Sequence, residues 1–73
     1  MDTTNLRSGE LVRVRAFGGI ELVRRVIFVK GDVVAVCSEE EYDKARAEKR
    51  RPGCIGFKAH AVLAVVPQKL ATL

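Results

Sequence analysis

Nucleophilic, general-base or soft-metal chemistry has few places to reside in this sequence. The only candidates are Cys37, Cys54 and His60. A structural zinc site asks for four ligands, usually in closely spaced pairs, and these three residues are scattered without such spacing. A Cys–His nucleophile pair needs an enclosed pocket, which a domain of 8.0 kDa scarcely has room to build. The residues themselves suggest Cys37 as a small buried strand residue, Cys54 as a strand-start residue and His60 as an exposed loop histidine. A Cys37–Cys54 bridge across the segment between them is geometrically conceivable, but reduced thiols are the expectation. The carboxylates Glu39, Glu40, Glu41 and Asp43 form the one acidic cluster. Three consecutive glutamates on a helix fan out by about 100° each, so they do not converge on one ion. No catalytic residue, cofactor, metal or small-molecule substrate is therefore expected, and the chain reads as non-enzymatic.

Positive charge is a better signal. Arg13, Arg15, Arg24, Arg25 and Lys58, with Lys30, come from strand-like and turn-like segments that could share one face. Arg13 and Arg15 stand two residues apart on one strand face, about 7 Å from each other, close to phosphate spacing along a single strand. These five residues are the candidates for electrostatic nucleic-acid binding. Single-strand binders also use several exposed stacking aromatics. This chain has three Phe, one Tyr and no Trp. Phe28 and Phe57 read as core, which leaves Phe17 and Tyr42 as candidate protein-interaction residues. A solvated basic face is the plainer account of the arginines, so a protein partner or self-association is the leading expectation and nucleic acid the alternative.

The elements that must position these groups are mostly strands. Glu10 to Phe17 alternates, with Val12, Val14 and Ala16 on one side and Leu11, Arg13, Arg15 and Phe17 on the other. Gly18-Gly19 is a turn signal. Ile20 to Lys30 continues as a longer β-branched run whose alternation breaks at Arg24-Arg25. One of the two arginines must face the apolar side, snorkel outward or sit at a bulge; a bulge or strong bend is preferred. Lys30-Gly31-Asp32 marks another turn. Val33 to Cys37 is too uniformly apolar to be half exposed, so it belongs inside the sheet.

Then the pattern changes. Ser38-Glu39-Glu40-Glu41 has the form of a capping box, with Ser38 bonding the N–H of Glu41 and Glu41 reaching back. Acids open the segment and Lys49, Arg50 and Arg51 close it, in the order that suits a helix dipole. Pro52-Gly53 ends it, which predicts a helix over about residues 39–51. On the Tyr42 face the helix offers only Ala45, Arg46 and Lys49, a thin apolar stripe that packs lightly on the sheet or meets a partner. Cys54 to Lys58 reads as a short strand. His60 to Val66 is ambiguous by pattern; its composition favours a turn near His60 and then a strand.

The bulk numbers bound what remains. The chain has 73 residues, 48% of them hydrophobic and 30% charged, with 13 Lys+Arg against 9 Asp+Glu for a net charge of +4. That composition is globular, and its length allows one small domain. Residues 1–8 read as a flexible lead, 9–66 as the domain and 67–73 as a tail. A domain of this size is marginal by itself, which favours tight packing or a partner subunit. No apolar run approaches a membrane span and the polar start is unlike a signal peptide, so the expected compartment is the cytoplasm.

Three strands joined by turns, an inserted helix, a short strand and a closing strand resemble a small SH3-like (Tudor-like) barrel over roughly residues 9–66. The opening GELVRVRAFGG also resembles the start of a KOW element: a glycine, alternating valines and a glycine turn. A KOW element carries a further glycine and basic residues after that turn, where this chain has Ile20-Glu21-Leu22-Val23. The resemblance implies a mainly β fold of about five strands. It does not imply a methyl-lysine cage, because three or four converging aromatic rings are not to be had once the core is built.

Overall fold

The computed structural model describes residues 6–67. Five antiparallel strands form one sheet: β1 (Leu11–Arg15), β2 (Glu21–Lys30), β3 (Val33–Cys37), β4 (Ile55–Lys58) and β5 (Val62–Val66), in the spatial order β4-β3-β2-β1-β5. A single helix, α1 (Glu39–Glu48), lies between β3 and β4. The fold is thus mainly β with one inserted helix, as the sequence pattern indicates. The sheet is open, since β4 and β5 stand at its two ends and pair with only one neighbour each.

Alternation in β1 sets the inner face. Val12 and Val14 are fully buried, and the ladder puts Val14 opposite Leu22 on one side and Val62 on the other. Val26 faces Val36, and Val29 faces Val34. Val12, Val14, Val26, Val34, Val36 and Val62 make the dry core, with Leu6, Leu22, Val29 and Phe57 packed around it. β3 is flanked on both sides, and its other face is also covered, with Ala35 and Cys37 buried. That explains its uninterrupted apolar run.

Two features of β2 correct the sequence reading. The bulge sits at Ile27, not at Arg24-Arg25: Val26 pairs with Val36, Phe28 pairs with Ala35, and Ile27 is the extra residue. An extra residue reverses the inside–outside phase of everything after it. Phe28 is therefore turned out of the core, 50% exposed, and Val29 takes the inward position in its place. The paired arginines need no bulge, because they face opposite sides of a regular strand. Arg24 pairs with Val12 on the inner face, and Arg25 pairs with Leu11 on the outer one.

The turn between β1 and β2 is a short 3-10 segment, Phe17–Gly19, in which Gly18 and Gly19 both have φ of 81°. Glycine reaches that region without steric cost. A second 3-10 turn, Ala59–Ala61, carries exposed His60 into β5, matching the turn-then-strand expectation.

The helix starts where expected: Ser38 Oγ accepts from the backbone N–H of Glu41 at 3.0 Å. It ends three residues before 51. Lys49 adopts a left-handed conformation (φ 55°, ψ 43°), its N–H donates to the Arg46 carbonyl, and the N–H of Arg50 donates to that of Ala45. This is a Schellman closure with a lysine in the place glycine usually takes. The proline at 52 disfavours helix at Arg51, so the chain turns out early. Of the four basic residues near this end, only Arg46 lies in the last helical turn; Lys49, Arg50 and Arg51 are beyond it.

Candidate functional site

The tie between helix and sheet is built on Arg25. Its side chain is only 13% exposed, and Nη2 meets Glu39 Oε2 at 2.7 Å. Nη1 donates to the Gly9 carbonyl at 2.6 Å, and the guanidinium lies 5.2 Å from the centre of the Tyr42 ring. Arg46 covers the same ring at 5.8 Å. Tyr42 is half buried between two cations, and a Cβ built on Gly9 would come within 3.2 Å of its hydroxyl. The Tyr42 face of α1, with buried Ala45, is thus used inside the chain.

The acidic cluster is likewise consumed by structure. Glu41 does not complete the capping box. Its carboxylate turns instead to Arg50 Nη1 at 2.7 Å and to the backbone N–H of Gly53 at 2.9 Å, and Arg50 Nε also donates to Glu48 at 2.6 Å. The Arg50 bond first, then that of Gly53, holds the Glu41 carboxyl down at about 2 and raises Arg50 above its ordinary value. Glu39 and Glu41 point to different partners, as the fan geometry requires.

The register separates the basic candidates. Arg13 and Arg15 share the outer face of β1, and Arg13 Nε pairs with Glu21 at 3.1 Å. Arg24 lies on the opposite face and donates to the Val23 carbonyl at 2.9 Å. Arg25 is bound under the helix. Lys58 ends β4, three strands from β1, where it pairs with Asp32 at 3.6 Å. Of the five, only Arg13 and Arg15 are brought together on an exposed surface.

Apolar exposure marks other places. Phe17 is 97% exposed at the β1–β2 turn, with Ile20 at 60% beside it. The turn that carries them is closed by the Ala16 N–H bonding the Ile20 carbonyl at 2.6 Å. On the inner face, a groove of about 280 Å³ opens between Leu22 and Arg24 of β2 and Ile55 and Phe57 of β4, with Val36 among its lining residues. A second hollow of about 330 Å³ lies among Ile27, Phe28, Arg51, Pro52 and Cys54. The exposure of Ile20 and Ile55 has no signal in the sequence, because a strand pattern says which residues alternate, not where the sheet stops covering them; Phe28, expected in the core, is turned out by the bulge at Ile27.

Cys37 is buried and Cys54 exposed, both as free thiols, and Cys54 immediately precedes β4 instead of beginning it. Burial, then the negative charge of Glu41, pushes the Cys37 thiol up. No helix among the described residues is long and apolar enough to cross a membrane. No family model matches this sequence, and neither a curated protein nor a solved structure matches the chain.

Proposed function

We propose that this chain is a non-enzymatic interaction module whose partner is a protein, first of all a second copy of itself, and that Phe17 is the anchor. One observation carries this reading: Phe17 stands 97% exposed on a glycine-built turn, next to Ile20. Burying a phenylalanine is worth about 1.5–3 kcal/mol, and rigidly presented aromatics are frequent interface anchors. The dry core is only six valines. A domain this small gains from apolar area buried against a partner. Tyr42 is the weaker anchor, since two guanidinium groups already cover its ring. The strand order, the inserted helix and the closing strand returning to β1 support an SH3-like barrel as the fold type. The reading assumes a cytoplasmic setting.

Sedimentation equilibrium over a wide concentration range tests the proposal. The wild type should move from 8.0 kDa toward twice that mass, and Phe17→Ser should stay at the monomer mass with an unchanged circular dichroism spectrum. A wild type that remains monomeric throughout would sink it.

Nucleic-acid binding is the second reading, favoured by the exposed pair Arg13 and Arg15 leading directly to Phe17. It requires a single-stranded oligonucleotide to bind with strong salt dependence, and an R13A/R15A variant to flatten the slope by roughly two. Salt-independent or absent binding removes this alternative.

A further inference from the structure

The β3–β4 ladder pairs Val33 with Lys58, Val34 with Phe57, Ala35 with Gly56 and Val36 with Ile55. The ladder ends at Ile55, the first residue of β4; carried one step further, the same register would set Cys37, the last residue of β3, opposite Cys54. Directly opposed residues on antiparallel strands point to the same side, with Cα atoms about 4.5–5.5 Å apart, and a disulfide joins Cα atoms about 4.4–6.8 Å apart. Opposed positions at a strand end therefore lie within the span that a disulfide bridges. The two thiols are also unequal in access: Cys54 is open to solvent and Cys37 is 6% exposed. Between them runs the whole helical insertion, held to the sheet by polar ties.

We propose that Cys37 and Cys54 are a redox pair that closes into an intramolecular disulfide with a low-molecular-weight disulfide as oxidant, clamping both ends of the helical insertion. The exposed Cys54 thiolate attacks one sulfur of the oxidant, forms a mixed disulfide and expels one thiolate. Cys37 then gives up its proton to solvent and attacks the Cys54 sulfur, and the bond to the remaining half of the oxidant breaks. The protein loses two electrons and two protons, and the oxidant becomes two thiols. Cys37 is the resolving partner because burial shields it from direct attack while leaving it beside Cys54.

Oxidised glutathione, incubated with the folded wild-type protein, tests this by intact mass and by thiol titration after denaturation. The expected product is a monomer lacking two hydrogens, with titratable thiols falling from two to zero and both returning on reduction. Cys37→Ser should stop at a glutathionyl adduct, and Cys54→Ser should remain unmodified over the same period. A wild type that ends as a stable glutathionyl adduct, as a disulfide-linked dimer or with both thiols intact overturns the proposal. The wild-type result decides this even if a Cys37 variant fails to fold.

Discussion

The valine sheet and the helical insertion are held by opposite kinds of force. In the sheet, six fully buried valines from four strands do the work, and no polar or charged side chain among the described residues is buried with them. The insertion contributes one buried alanine and otherwise rests on Ser38, the Arg25–Glu39 pair and the Glu41–Arg50–Gly53 clasp. Apolar burial has no charge to titrate or to screen, whereas charge pairs respond to both pH and ionic strength. The two halves of one small domain should therefore fail under different conditions.

The hardest blow to this contrast falls in the sheet. Val14→Ala removes two buried methyl groups between Leu22 and Val62 and should cost about 2–3 kcal/mol in urea denaturation. A loss well below 1 kcal/mol would mean that the valine core is not where stability resides. Acid should sharpen the contrast from the other side. The Glu41 carboxyl is held at about 2 in the folded chain, below its ordinary 4.5, so its contribution is complete above about 4.5 and disappears as pH falls toward 2. Helical signal should decline through that window in the wild type, while Glu41→Gln, weaker at neutral pH, should be flatter across it. Equal acid profiles for the two proteins would remove the clasp from the account. The smallest effect is a gain. Lys49 pays the steric cost of a left-handed residue, so Lys49→Gly should raise stability by about 0.5–1 kcal/mol in the same urea assay.

Where one force dominated, the sequence was readable. The β1 alternation, the glycine turn and the Ser38 cap each depend on neighbours in the chain, and each stands as the pattern indicates. Phe28 did not, because one extra residue at Ile27 inverts the phase, and nothing local distinguishes Ile27 from its neighbours. The end of the helix was overextended because Lys49 lies in a conformation that its side chain does not advertise. The basic candidates were legible as residues but not as a surface: which face Arg24 and Arg25 take is decided by pairing with β1, a contact made across the chain. Phe17 was visible as a leftover aromatic; its near-complete exposure belongs to the turn geometry.

The opposed placement of Arg24 and Arg25 has a consequence for how β2 finds its partners. Leu22, Arg24 and Val26 on one side are mirrored by Val23, Arg25 and Ile27 on the other, so sliding the strand by a single position would exchange one apolar–cationic–apolar triplet for another. The strand's own composition hardly discriminates between the two alignments. In the observed alignment it is Arg25 that arrives under the helix, where it meets the Gly9 carbonyl, Glu39 and Tyr42 together. The insertion, thinly packed as it is, thus fastens the outer face of the second strand through a single side chain.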